Sequence, residues 1–391
     1  MGKPNLTDFD VTDTPTTALH WALQQHLAPA QSPTLFLRAR YSGELHGFRN
    51  LVCVQSFKPW ADALTANAYR VYAALSDCGP EHQLFDRILM LPSRQRTETR
   101  ALLAQAALRL TPTGILVSAQ QNNEGARSLQ GDYEMLFDQV SQQRHDIEVS
   151  RQRHDIQVSQ QRHDTQVSRK PQGENVRHAS KHKCRVLWAA AEHLNRELAL
   201  AWQQLDAPRD VLGGEFVSRP GVFAWDRIDQ GSALLVTQLP HDLAGRGADL
   251  GCGYGYLSRY VLQTSPAISA LDCYEAEHRA LNLTRTNLQD FNVGGRNSRA
   301  LSFHWHDVNL GLEDKDFDFI LSNPPFHVDR ADQSDLGLRF IATASAALRK
   351  GGRFYMVANQ HLAYEAMLKQ KFSQVRTLVQ DQGFKVFEAI R

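Results

Sequence analysis

In the second half of the chain, hydrophobic positions fall into short, nearly continuous runs separated by stretches of helical periodicity. Phe317-Asp318-Phe319-Ile320-Leu321-Ser322 reads as a strand buried on both faces of a parallel sheet. Further strands are expected over 268–274, 303–308 and 351–358, and residues 372–377 and 385–389 would close the sheet as late strands. Helices are expected over about 276–288 and 338–348. Alternating strands and helices specify a parallel core, and right-handed crossovers restrict its topology. Residues 206–391 are therefore expected to form an α/β, Rossmann-like sheet with helices on both faces.

The first half repeats this pattern in worn form. Phe85-Asp86-Arg87-Ile88-Leu89-Met90-Leu91-Pro92-Ser93 parallels Phe317 through Pro325, and the run from Gly114 to Gln120 parallels that from Gly352 to Asn359. Leu91 stands where Asn323 stands, and nothing in this half corresponds to the glycine turn described below. Two domains follow, residues 1–205 and 206–391. Within the first, about 139–183 reads as a polar insertion. It carries three tandem nine-residue units beginning at Ser141, Ser150 and Ser159. Each unit offers too few apolar residues to bury a core, so a mobile excursion is expected. Between Ser141 and Arg185 ten Lys/Arg face five acids, which leaves room for a weak phosphate-contacting arm. The regular His-Asp pairs are better explained by repeat expansion than by a metal site. The chain is expected to rejoin its domain at Cys184-Arg185-Val186-Leu187.

Composition narrows the class without naming it. A chain of 391 residues with 42% hydrophobic content can bury two cores. No apolar run reaches the length of a membrane span, and the polar start at Met1-Gly2-Lys3 does not read as a signal peptide. The five cysteines lack metal-ligand spacing and suit a reducing, cytoplasmic compartment. A net charge of +1 means that any nucleic-acid contact depends on local basic patches.

Two motifs carry the chemistry. Asp249-Leu250-Gly251-Cys252-Gly253-Tyr254-Gly255 sits between a strand and a helix start. Its glycines allow close backbone approach to a ligand, and its G-x-G-x-G spacing differs from a dinucleotide fingerprint. An acid two residues before the first glycine would repel a pyrophosphate but suits the ammonium of an amino-acid-like cofactor, which favours S-adenosylmethionine over NAD. Some seventy residues later comes Asn323-Pro324-Pro325-Phe326. An Asn side-chain carbonyl and the Pro324 carbonyl would accept both N–H bonds of an exocyclic amine, with an aromatic face beside them for its ring. Between the motifs, Glu275 is the candidate for the ribose hydroxyls, with Asp272 and Glu277 as competitors. Asp307 is the candidate acceptor for the adenine amino group, or alternatively a turn cap.

With Pro220-Gly221-Val222-Phe223, Asp229-Gln230-Gly231-Ser232, Ser322 through His327, Val357-Ala358-Asn359 and Gly383-Phe384-Lys385-Val386-Phe387, residues 206–391 resemble the bacterial ribosomal RNA guanine-N2 methyltransferases. They are most like the small-subunit methyltransferase C family, with the large-subunit methyltransferase G as its sister. Ala224-Trp225-Asp226 and Glu275 depart from the usual Ser-Arg-Asp and Asp.

The resemblance implies two Rossmann-like methyltransferase domains in tandem, the first degenerate and the second a class I S-adenosylmethionine-dependent fold. It implies cofactor contacts from Asp249, Gly251, Cys252, Gly253, Gly255, Glu275, Asp307 and Asn323, and catalysis by Asn323, Pro324 and Phe326. Substrate contacts would come from Phe223, Pro325, Phe326 and His327. The implied partner is ribosomal RNA within a small subunit or its assembly intermediate, with neither metal nor membrane. Residues 223–235 would form a lid over the cofactor, and the second half is expected to bind it unaided. Large-subunit RNA, an adenine N6 or a protein glutamine remain alternative acceptors, and loss of catalysis in an RNA-binding protein is the alternative from another class.

Overall fold

The computed structural model describes residues 14–27, 33–48, 50–79, 83–137, 175–292, 299–325 and 333–391. They form two compact units, one of Met1–Gln55 with Trp60–Asp206 and one of Ser56–Pro59 with Ala207–Arg391. The nonapeptide repeats, Phe326 and His327 lie outside the described residues.

In the first unit, β1 (Thr34–Leu37), β2 (Leu51–Val54), β3 (Arg70–Tyr72), β4 (Phe85–Met90), β5 (Leu110–Gln121), β6 (Val176–Lys181) and β7 (Cys184–Ala190) make one sheet. Its order is β3-β2-β1-β4-β5-β7-β6. The first five strands in that order run parallel, and β7 and β6 are antiparallel additions. The helices are α1 (Thr14–His26), α2 (Lys58–Ala66, of which Lys58 and Pro59 count with the second unit), α3 (Arg96–Ala107), α4 (Ala126–Phe137) and α5 (Arg196–Trp202). Residues 176–181, which the sequence reading assigned to the polar insertion, are the edge strand β6. Their polar side chains suit an edge, where charge blunts unwanted pairing, while the apolar β7 supplies the ladder.

The second unit repeats the order strand for strand. After a small hairpin of β8 (Arg209–Val211) and β9 (Phe216–Ser218) come β10 (Gly245–Leu250), β11 (Ile268–Glu275), β12 (Ala300–Trp305), β13 (Phe317–Ser322), β14 (Leu348–Asn359), β15 (Gln374–Asp381) and β16 (Phe384–Ile390). They lie in the order β12-β11-β10-β13-β14-β16-β15, with β16 antiparallel to β14. The helices are α6 (Gln230–Val236), α7 (Tyr256–Thr264), α8 (His278–Asn287), α9 (Gln289–Asn292), α10 (Gln333–Ala347) and α11 (Glu365–Lys371).

Alternate residues of the central strands face opposite layers, which is why these strands read as continuous apolar runs. Ile320, Phe354 and Met356 pack with Phe340, Ile341 and Ala344 of α10. Phe319, Leu321 and Tyr355 pack with Leu235 of α6, Val261 of α7 and Leu281 of α8. No helix among the described residues is long and apolar enough to cross a membrane.

The duplication extends to backbone detail. A Cβ added to Gly114 would lie 2.9 Å from the Phe85 carbonyl oxygen, and one added to Gly352 would lie 2.9 Å from the Phe317 carbonyl oxygen. The strand register breaks at the same place in both units, between Phe85 and Arg87 and between Phe317 and Phe319. The copies diverge where chemistry would sit. Gly251 follows β10 at φ 76°, whereas Arg38 follows β1 at φ 54° and pairs with the buried Glu98 at 3.2 Å. Leu91 after β4 is buried.

Candidate active site

Adjoining ends of β10, β11 and β13 build the site. Beyond β10, Gly251, Gly253 and Gly255 all adopt positive φ (76°, 60° and 94°). A Cβ on Gly255 would press on Thr284 at 3.1 Å, but one on Gly253 would meet open space. Backbone conformation demands the second glycine, and the space beside it is free for a ligand. The turn is anchored by Gly251 N–H and Cys252 N–H, both donating to the Tyr274 carbonyl (2.8 and 3.1 Å), and by Thr284 Oγ1 donating to the Gly253 carbonyl (2.8 Å). Cys252 turns its side chain into the core, where burial drives its thiol pKa well up, so only its backbone can serve a cofactor.

Asp249, at the end of β10, is fully buried. Its Oδ2 accepts from Ser258 Oγ at 2.6 Å, and its Oδ1 has no partner among the described residues. Burial pushes its pKa up to about 7 against the pull of the Ser258 bond, and the Glu275 charge adds to the rise.

The three acids in and just beyond β11 are separated by their partners. Asp272 is held by Arg246 (2.9 Å) and His304 (3.0 Å). Arg246 also reaches Asp314 at 3.0 Å, so a guanidinium knits together the one Asp/His cluster compact enough to suggest a metal among the described residues. Glu277 caps α8 and pairs with Arg279 at 2.9 Å; burial opposes its ionisation, yet Arg279 brings its pKa down to about 2. Glu275 alone turns to the glycine loop, Oε2 accepting from Gly253 N–H and Oε1 from Glu277 N–H, both at 2.8 Å.

This acid-bearing loop is braced by the upstream segment Ser56–Pro59, which belongs to the second unit. Lys58 N–H donates to the Ala276 carbonyl (2.8 Å), and His278 N–H donates to the Ser56 carbonyl (2.8 Å). Trp305 Nε1 donates to both of those carbonyls (Ala276 2.8 Å, Ser56 3.0 Å). Four residues of the second unit thus come from far upstream of residue 206.

At the end of β13 the Asn323 carboxamide is held by its nitrogen. Nδ2 donates to Asp229 Oδ2 and to Ser232 Oγ, both at 2.8 Å, and Oδ1 is buried without a partner among the described residues. Ser322 Oγ donates to the Leu250 carbonyl at 2.8 Å, tying β13 to the glycine-loop strand. Asp229 also N-caps α6, accepting from Ser232 N–H at 2.9 Å. The Tyr254 hydroxyl donates to the Arg227 carbonyl at 3.2 Å, joining the glycine loop to the segment before α6.

Pro324 is buried and Pro325 exposed. Phe223 is 57% exposed, and Ala224 beside it holds a strained positive φ of 48°. Strand β12 ends at Trp305 rather than 308, because Asp307 caps the short turn Val308–Leu310. Its Oδ1 accepts from the Asn309 backbone and side-chain N–H groups (3.0 and 2.8 Å). The sequence reading placed Asp229 and Ser232 in a motif but missed their bonds to Asn323. It also missed the Ser258 partner of Asp249.

Residues 213–388 match the family model of the methyltransferase small domain, so the second unit is a methyltransferase domain. A ribosomal RNA small subunit methyltransferase C from Shewanella amazonensis is 31% identical over 214 residues, covering 55% of this chain and 59% of that protein. One from Shewanella pealeana is 25% identical over 312 residues, covering 80% and 79%. A solved 16S rRNA N2 guanine methyltransferase from T. thermophilus, in complex with AdoMet and guanosine, superposes with TM-score 0.70 at 22% identity, covering 96% of this chain and 92% of that one. The chain is a homologue of the ribosomal RNA small subunit methyltransferase C proteins, and both of its units share their fold.

Proposed function

We propose that this protein transfers a methyl group from S-adenosylmethionine to the exocyclic N2 amine of a guanine in small-subunit ribosomal RNA. The observation that carries the reading is the Asn323 carboxamide, held by its nitrogen with its oxygen buried and unpartnered among the described residues. A buried acceptor without a donor costs about 1–3 kcal/mol, so a site that keeps one is built for an incoming N–H.

The crevice suits S-adenosylmethionine on the same grounds. Asp249 Oδ1, buried and unpartnered among the described residues, is an acceptor for an ammonium, the free space beside Gly253 admits a ligand against backbone, and Glu275 offers a carboxylate for ribose hydroxyls. When bound, the cofactor supplies a methyl group activated by its positively charged sulfur.

The guanine N2 lone pair is delocalised into the ring and weakly nucleophilic. Asn323 Oδ1 and the Pro324 carbonyl accept its two N–H bonds, orient the amine and favour a more tetrahedral nitrogen. Phe326 stacks on the base. Rate enhancement comes from positioning and from fixed dipoles, since the amine sheds its proton readily once methylated. The base is presented unpaired or flipped from its helix. The RNA is engaged in the cytoplasm, as a small ribosomal subunit or its assembly intermediate, and the first unit serves substrate binding or folding.

Mass mapping of modified nucleosides in ribosomal RNA, from cells with and without this protein, tests the assignment. Loss of one N2-methylguanosine from 16S RNA is expected. Loss from 23S RNA, or of a methyladenosine, would reassign the substrate.

A further inference from the structure

We infer that Asp229 is a positioning residue that sets which end of the Asn323 carboxamide faces the substrate, coupling the N-terminus of α6 to the amine acceptor. The inference rests on the function proposed above and adds to it the part of the molecule that orients the acceptor.

A carboxamide has two ends of nearly equal size and opposite hydrogen-bonding character. Turned over, Asn323 would aim N–H donors at a target amine that itself donates. Ser232 Oγ, 2.8 Å from Nδ2, cannot decide the orientation, because a hydroxyl both donates and accepts. Asp229 decides it. An ionised carboxylate only accepts, so its Oδ2, 2.8 Å from Asn323 Nδ2, requires the nitrogen on its own side and leaves Oδ1 as the free acceptor.

The same carboxylate oxygen accepts from Ser232 N–H at 2.9 Å, so the first turn of α6 and the Asn323 side chain are fixed by one atom. Gly231 makes this possible. A Cβ there would come within 3.1 Å of both Asp229 Oδ2 and the Phe384 ring. Any disorder of the segment before α6 therefore frees the carboxamide to turn, and the acceptor is set only while α6 is docked.

Three variants of the full chain test this. Asp229→Ser keeps an N-cap for α6 but is too short to reach Asn323. Cofactor affinity by calorimetry should stay within about twofold of wild type, while methylation turnover at saturating cofactor and RNA should fall by roughly tenfold to a hundredfold. Hydrogen exchange of the Asn323 side-chain amide, followed by nitrogen-15 NMR without substrate, should accelerate in the same variant. Asn323→Asp should be poorly active, because two carboxylates would then abut. Combined with Asp229→Asn, it should recover at least about tenfold, since the amide now at 229 donates to the carboxylate at 323 and leaves its second oxygen for the amine. Wild-type turnover and unchanged amide exchange in Asp229→Ser, or no recovery in the double variant, would overturn the inference. If the wild-type protein methylates no guanine, the assigned reaction fails, and the amide-exchange measurement still decides the role of Asp229.

Discussion

Gly253 and Glu275 are joined across the crevice: the glycine N–H donates to the glutamate Oε2 at 2.8 Å, so one carboxylate ties the glycine loop to the end of β11. Burial raises the pKa of this acid, and the backbone N–H groups of Glu277 and Gly253 only partly offset the rise. A carboxylate accepting two backbone donors retains lone pairs for ribose hydroxyls. Glu275→Gln removes the charge, and Glu275→Ala removes the acceptor and the tie together. Hydrogen bonds to charged groups contribute about 1.5–3 kcal/mol, so S-adenosylmethionine affinity should fall by about tenfold in the first variant and further in the second. Calorimetry checks this, and unchanged affinity in both would move the ribose away from Glu275.

The strands were legible in the sequence because the sheet of the second unit is buried on both faces, so strand centres such as Phe319-Ile320-Leu321 are apolar on consecutive positions. The glycine loop was legible because positive φ at Gly251 and Gly253 excludes most other residues. Other features depend on partners remote in sequence. Asp229 before Gln-Gly-Ser reads as an ordinary helix cap, and its second partner, Asn323, lies 94 residues away. Ser56 and Trp305 are 249 residues apart. Periodicity carries no record of such pairings. Strand β6 was missed because an edge strand needs little apolar character of its own.

Asp249 makes the protein sensitive to pH in two ways. Its pKa of about 7 in the folded chain exceeds the unfolded carboxylate value of about 4, so the folded state holds the extra proton between these limits. Its contribution to stability is full below about pH 4, declines as pH rises through about 7 and is flat above, a change on the order of a few kcal/mol. Denaturant unfolding from pH 4 to 8 should show this slope, and Asp249→Asn should reduce it. An ammonium beside Oδ1 would expel the proton. Cofactor affinity should therefore rise with pH up to about 7, and binding at pH 6 should release a proton. Identical binding heats at pH 6 in buffers of different ionisation enthalpy would remove Asp249 from the ammonium site.

The Ser56–Pro59 brace predicts that the cofactor site depends on a segment far upstream. His278→Pro replaces the first residue of α8, a position that tolerates proline, and deletes the N–H that donates to the Ser56 carbonyl. Trp305→Phe deletes the indole donor shared by Ser56 and Ala276. Each should weaken S-adenosylmethionine binding by about three- to tenfold, the worth of one or two neutral hydrogen bonds, and lower the melting temperature by a few degrees. A chain beginning at Ala207 should bind more weakly than either. Full affinity in that shortened chain would show that the brace is structural decoration.

Asn323 is the residue on which the assigned chemistry turns. Asn323→Ala deletes the buried Oδ1 acceptor along with the Nδ2 donor to Asp229 and Ser232, while β13, Pro324 and Pro325 remain. In the reaction proposed here the cofactor is held mainly by the glycine loop and Glu275, so its affinity should change by less than about threefold. Turnover should fall by roughly a hundredfold or more, the scale on which loss of a transition-state hydrogen-bonding partner is felt. Phe326→Ala should instead weaken RNA capture along with turnover, because stacking contributes about 1–3 kcal/mol per base. The pair separates acceptance from stacking when rates are measured on RNA at saturating cofactor. Near-normal guanine-N2 methylation by Asn323→Ala would remove the carboxamide from the reaction and leave the fold assignment standing, because the sheet order and the glycine loop do not depend on that side chain.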